Sequence, residues 1–235
     1  MRTLFRSLCL FGLSLPAHAL EFVIVNPDQD DFRSVAEDIA AALNYKALAP
    51  AEATGLTGFG LGAFASYAET DDPAAWQRLT GEDVDGVGMV GVAAHKGLPL
   101  NLDLGAFYAT VPGTDARVLG GELRWAWLPG SAVLPALAIR ASATEADDTG
   151  DFDYASRAVD VSVSKGFTLV TPYAGAGYVW STVEADPATG LQDEDIDEPR
   201  YYAGLRLSLL LLSLTPEIER QGERTSYNLR IGLSF

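Results

Sequence analysis

The stretch that most constrains this chain is Thr225-Ser-Tyr-Asn-Leu-Arg-Ile-Gly-Leu-Ser-Phe235. Thr225, Tyr227, Leu229, Ile231, Leu233 and Phe235 share one face, and Ser226, Asn228, Arg230, Gly232 and Ser234 share the other. Alternation with period two describes a strand with one apolar and one polar side. The same period starts at Thr54 and recurs to the end. It predicts strands at about 54–67, 86–95, 98–110, 117–128, 132–144, 154–164, 168–182, 200–209, 212–220 and 225–235. Each is close to the ~9–11 residues that a tilted membrane strand requires. On this reading Val87, Met89 and Ala93 face outward on the second strand, Leu98 and Leu100 on the third and Val133 on the fifth. The weak point is the apolar run Leu207–Leu212, which has to contain a turn for the count to reach ten.

Beyond the N-terminus, no apolar run reaches the ~18 residues of a helical membrane span. Yet 48 % of the chain is hydrophobic. A chain that crosses a membrane without helices must close its strands into a barrel, because open edges leave backbone groups unpaired in lipid. The predicted fold is therefore all-β, an up-and-down antiparallel transmembrane β-barrel of about ten strands. The net charge of −16 opposes nucleic acid as a partner.

The first residues read as a secretory signal, expected over 1–19. Arg2 and Arg6 form a basic start, Leu8 to Leu15 a short apolar run and Ala17-His18-Ala19 a cleavage site. The single cysteine, Cys9, falls within it, so no disulfide framework is expected. Residues 20–53 form a separate segment before the barrel at 54–235. Phe32, Val35, Ala36, Ile39 and Leu43 recur at helical spacing, with acids before them and Lys46 after. The helix either packs beneath the barrel or enters its lumen.

Two further patterns fit a barrel. Tight turns at His95-Lys-Gly, Pro129-Gly-Ser and Ser164-Lys-Gly alternate with connections at 68–85, 111–116, 144–153, 184–199 and 221–224. With the first strand running outward, Tyr67, Tyr108, Tyr178, Trp180, Tyr201 and Tyr227 gather near one rim, and Trp125, Trp127 and Phe235 near the other. Aromatic belts at two heights suit the two membrane interfaces.

The closing strand ending in Phe235 resembles the C-terminal signal strand of Gram-negative outer-membrane barrels. His95-Lys-Gly-Leu-Pro, Gly120-Gly-Glu-Leu-Arg-Trp125 and Thr171-Pro-Tyr-Ala-Gly175 are likewise similar to uncharacterised members of that group. The resemblance implies the outer membrane as location, its lipid and lipopolysaccharide as surroundings, and the barrel-assembly machinery as a partner of the last strand. It implies no activity.

Catalysis is not expected. His18 lies in the signal, and His95 reads as a solvated residue at a tight turn. No cofactor motif or metal-ligand spacing is present. The inward face is the informative one: Asp103, Glu122, Arg124, Arg140, Asp160, Arg206, Glu217, Glu219 and Arg230 are expected to line the lumen. Such residues either pair and fill a narrow barrel or form a polar path. Gly58, Gly60, Gly62, Gly86, Gly88, Gly175 and Gly177 suggest a bare sector of wall against which the helix docks as a plug. Acids crowd the longer connections, as at Glu69-Thr-Asp-Asp72 and Asp193-Glu-Asp-Ile-Asp-Glu198, with divalent cations as candidate partners. The functional expectation is a narrow porin-like channel or transporter for small or amphipathic solutes, gated by the helix. The alternative is a non-transporting structural or adhesive barrel acting through its acidic outer loops.

Overall fold

A computed structural model describes residues 22–234. The expected signal segment and the aromatic side chain of Phe235 lie outside these residues. The strands are β1 (Phe59–Glu69), β2 (Gly86–Gly97), β3 (Leu102–Thr110), β4 (Arg117–Leu128) and β5 (Ala136–Asp147). They continue as β6 (Phe152–Ser164), β7 (Val170–Ala185), β8 (Glu194–Leu209), β9 (Leu212–Gln221) and β10 (Arg224–Ser234). Each strand pairs antiparallel with its sequence neighbour, and β1 pairs with β10, so the sheet is a closed barrel. Closure leaves no edge with unpaired backbone groups, which is what lipid demands. Among the described residues no helix is long and apolar enough to cross a membrane.

The alternation has the physical consequence expected of it. Leu61, Val92, Leu104, Leu123, Ile139, Val161, Leu214 and Ile231 all stand exposed on the outside. A continuous apolar surface of this size would be unfavourable in water, so the outside is a membrane surface. Tyr67 and Tyr227 are register partners, and the rings of Tyr178 and Trp180 lie 5.2 Å apart. The hydroxyls of Tyr67 and Tyr178 donate to the carbonyls of Asp85 and Asp197 beyond the belt. Trp125 and Trp127 project outward near the opposite end. We call the end bearing the 70–85 connection the mouth and the end where β1 begins the base.

Several boundaries differ from the sequence expectation. Leu98 and Leu100 are not on a strand: Leu100 and Asn101 adopt φ 64° and 59°, a tight left-handed turn after Pro99. Val133 lies in the β4–β5 turn, where Ser131 Oγ accepts from the amides of Val133 and Leu134. The 144–153 connection shrinks to 148–151 because β5 and β6 continue above the membrane. The 184–199 connection shrinks similarly as β7 and β8 lengthen. The 70–85 connection carries a second helix, α2 (Pro73–Thr80), capped by Asp72 and ended by Gly81 at φ 80°. The apolar run at 207–212 does turn, with Leu210 at φ 56°.

β2 is the strand whose faces are reversed. Val87, Met89, Ala93 and His95 are buried in the lumen, while Val90 and Val92 face lipid. Both faces of this strand are small or apolar, so period two carries no sign there. The sign comes from inside: α1 (Gln29–Leu43) lies within the barrel, and the inner face of β2 packs against it.

Candidate functional site: the occupied lumen

Helix α1 begins at Asp28, whose side chain accepts from the amides of Asp30 and Asp31 and caps the first turn. Phe32, Val35, Ala36, Ile39 and Leu43 form its apolar stripe and are buried, Phe32 to 0 % exposure. They meet Phe64, Val87, Met89, Phe107, Val118, Val183 and Ile196 from the wall of the mouth half, together with Trp76 and Leu79 of α2. Burying Phe32, Val35, Ile39 and Leu43 is worth about 1.5–3 kcal/mol each on transfer alone. The helix is therefore part of the protein core. Of the two sequence placements, beneath the barrel or inside it, the structure takes the second.

Its depth is not the expected one. A strand starting at residue 54 leaves a short tether and holds the helix near the base. The tether is longer, since β1 begins at Phe59: residues 44–54 descend the lumen as an irregular segment with Leu48 at φ 43°, from a helix seated in the mouth half, and a turn at 55–58 leads into β1. An irregular chain has few internal partners for its amides and carbonyls, which must be met from outside when buried. The wall meets them. Arg200 donates to the carbonyl of Tyr45 at 2.7 Å, and the amide of Leu48 donates to Glu217 at 2.9 Å. Arg124 donates to the carbonyl of Pro50 at 2.7 Å, Ser164 accepts from Ala51 at 3.1 Å, and Asp103 accepts from Thr54 at 3.0 Å.

The inward charges are also joined to one another. Asp103 pairs with Arg124 at 2.9 Å, Glu122 with Arg140 at 3.0 Å, and Asp160 with Arg200 at 2.5 Å. Lys46 of the threaded chain pairs with Glu219 at 2.8 Å, and Asn44 donates to Glu219 at 3.1 Å. Tyr202 donates to Asp160 at 2.5 Å and Tyr173 to Glu217 at 2.8 Å. Arg140 lies 3.9 Å from Asp160, linking the Glu122 and Asp160 pairs. Of the charged residues singled out in the sequence, Asp103, Glu122, Arg124, Arg140, Asp160, Glu217, Glu219 and Arg230 are buried inside the barrel, and Arg206 is partly so. Most of them bind the threaded chain or one another.

His95 reads in the sequence as a solvated turn residue and is instead a lumen residue on β2, 7 % exposed and 3.4 Å from Glu122. The docking glycines need correction too. None has an atom of α1 among the nearest neighbours of the position a Cβ would occupy. Gly62 makes room for Arg230 Nε, which would lie 2.8 Å from such a Cβ, whereas a Cβ at Gly60 would meet its nearest atoms only at 3.7 and 3.8 Å. Gly175 makes room for the Tyr202 ring and Gly177 for Asp160. Gly58 sits against the Thr54 carbonyl at the base. Gly86 and Gly88 face outward, the former under the Tyr67 ring. The glycines accommodate inner and outer side chains; they do not form a bed for the helix.

A tie at the mouth has no counterpart in the sequence reading. Asp38, buried on α1, accepts from Trp76 Nε1 of α2 at 2.8 Å and from Arg224 Nε of β10 at 2.8 Å. The amide of Asp71 donates to the same carboxylate at 3.2 Å. Position 38 lies one helical turn from both Val35 and Ala42, which are buried, so an acid there is itself a signal of a buried partner. Outside the membrane, Arg78 of α2 grips Asp31 with hydrogen bonds of 2.6 and 3.0 Å and holds its carboxyl below the usual aspartate value. Among the described residues no three of His, Cys, Asp or Glu are placed as metal ligands.

No protein-family model matches the chain, and neither does any curated protein. Among solved structures it is similar to the N-terminal β-barrel domain of Pseudomonas aeruginosa OprF, at 12 % identity, covering 77 % of this chain and 99 % of that one, TM-score 0.38. The P. aeruginosa outer membrane protein OprG is similar at 11 % identity over 80 % and 99 %, TM-score 0.39. Ail, the attachment invasion locus protein of Yersinia pestis, is similar at 12 % identity over 76 % and 97 %, TM-score 0.29. The closed barrel stands on the strand order itself. With its apolar outside and aromatic belts, it has the build of outer-membrane-type barrels.

Proposed function

We propose that the protein is a non-transporting outer-membrane barrel, closed by its own N-terminal segment, that presents an acidic surface at its mouth. The observation that carries this reading is the stitching of residues 45–54 to Arg200, Glu217, Arg124, Ser164 and Asp103 along the lumen. A gate needs a seal that gives way at modest cost. This segment shares its charged partners with the wall, and its withdrawal would expose the apolar inner face of the mouth as well. The chemistry the protein offers outside is then that of its mouth, where Asp30, Asp71, Asp72, Asp148, Asp186 and Asp195 project into water. Such a surface suits cationic partners or divalent ions held between it and lipopolysaccharide phosphates.

The test is planar-bilayer conductance of the refolded full chain, paired with hydrogen exchange of residues 32–51. A silent barrel whose lumenal amides are protected like strand amides supports closure. Steady conductance, or lumenal amides that exchange while the strands remain protected, would overturn it. The competing reading, a narrow path for small solutes gated by the N-terminal segment, draws on the cavity at the base and requires that second result.

A further inference from the structure

The lumen is not filled uniformly. At the base the threaded chain leaves a cavity of about 280 Å³, bordered by Glu52, Arg124, Arg206, Ser213, Thr215 and Arg230. Its volume is near the lower end of small-molecule sites. Arg124 is committed to Asp103 and to the Pro50 carbonyl. Arg206 and Arg230 differ in one respect. Among the described residues neither lies within ion-pair distance of a carboxylate, whereas Arg124, Arg140 and Arg200 each do. The Nε of Arg206 and of Arg230 is buried without a hydrogen-bond partner, as it is in those three. Arg230 is 7 % exposed. Elsewhere in the lumen arginines are matched with acids, as Arg140 with Glu122 and Arg200 with Asp160.

A buried guanidinium without a counter-charge is costly, and the cost falls when an anion completes the site. Guanidinium forks match planar and tetrahedral oxyanions in a bidentate way that a point charge does not. The Glu52 carboxylate lines the same space but leaves an excess of positive charge there. Two hydroxyls also border it: Thr215, and Ser213, which donates to the Gly232 carbonyl at 3.4 Å. Gly60 and Ser213 are near the base ends of β1 and β9, so the cavity sits close to that opening.

We propose that this cavity is a binding site for a small oxyanion, a phosphate or carboxylate reaching it from the aqueous phase at the base, held by Arg206 and Arg230 and bordered by Arg124. The site is independent of whether the lumen conducts, because it needs access from one end only.

The experiment is calorimetric titration of inorganic phosphate, and separately of succinate, into the folded full chain in detergent micelles, with chloride holding ionic strength constant. Saturable one-site binding of either probe is expected. Arg206→Gln and Arg230→Gln should each weaken it roughly ten- to a hundredfold, the range for losing a hydrogen bond to a charged group. Arg157→Gln, an exposed arginine on the outer wall, should bind as the parent does. Absence of saturable binding by both probes would overturn the proposal and leave the cavity to water. Unchanged binding in both glutamine variants, or equal weakening by Arg157→Gln, would also overturn it. Should a glutamine variant fail to fold, Arg206→Lys and Arg230→Lys carry the test. They keep the charge and lose the fork, so several-fold weaker binding is expected and unchanged binding refutes the site.

Discussion

Replacing Asp38 by alanine should loosen the mouth without opening the barrel wall. Its carboxylate accepts from Trp76 Nε1, Arg224 Nε and the amide of Asp71. Trp76 is 1 % exposed, so its indole N–H would be left buried and unpaired. That alone costs about 1–3 kcal/mol. Arg224 retains Glu37 at 2.8 Å, so its charge stays paired and adds less. A total near 2–4 kcal/mol follows, roughly thirty- to a thousandfold in a local opening equilibrium. Hydrogen exchange read residue by residue is the assay: amides of α1 and α2 should accelerate by that factor while those of β4 to β7 keep their rates. The double variant Asp38→Ala/Trp76→Phe removes donor and acceptor together and should recover about 1–2 kcal/mol relative to additivity. Unchanged exchange in α1, or strict additivity of the two substitutions, would refute the claim that this carboxylate ties the helices to the wall.

Ile231 stands exposed on the outer wall four residues beyond Tyr227, about 13 Å along the strand from the aromatic belt. Ile231→Arg should cost about 2–4 kcal/mol in denaturant unfolding from lipid vesicles, as for a charge near the bilayer centre. Gly175→Ala would drive a methyl group into the Tyr202 ring and should destabilise by about 1–3 kcal/mol. Gly60→Ala, whose nearest atoms would lie at 3.7 and 3.8 Å, should stay within about 0.5 kcal/mol in the same unfolding assay. The Asp31–Arg78 contact predicts a pH effect. Because the folded carboxyl titrates below its ordinary range, its contribution is present above that range and disappears as the pH falls through the lowered value. Exchange from α2 should rise on acidification and with added salt, and Asp31→Asn should remove both responses.

The outward strands are legible because lipid enforces one rule on every one of them: apolar outside, whatever lies within. β10 obeys it residue by residue, and β6 does so from Ala158 to Ser164 apart from the small inward Ala158, so their faces can be assigned from period two alone. β2 cannot be assigned in this way, because its inner face meets α1 and is as apolar as its outer face. His95 is misplaced for the same reason: with the strand reversed, its side chain turns from the rim to the lumen. Leu98 and Leu100 continue the alternation by accident, although Pro99 marks the turn. The helix α2 does carry signals, Asp72-Pro73 at its start and Gly81 at its end, masked by a connection dense with acids. What no sequence pattern supplies is the path of residues 44–58. An irregular segment inside a barrel and one outside it read alike in sequence, and only tertiary contacts separate them.

Those contacts also decide how the lumen charges are to be understood. A water-filled passage requires polar walls along its whole length and has no need of an apolar section. This wall changes character where its contents change. It is mainly apolar beside the helix, which satisfies its own backbone and whose charged groups meet Glu194 and Arg224 of the wall, and it is charged beside the threaded segment, whose backbone lacks internal partners. The boundary falls near Asn44 and Lys46, where the helix ends and the wall carboxylate Glu219 is met. Wall and contents therefore match layer by layer, as two halves of one core do. Arg206 and Arg230 have no such match: they border the cavity at the base without an ion-pair partner among the described residues. The paired charges are explained by the chain they hold or by one another, and the two unpaired ones call for a ligand from outside.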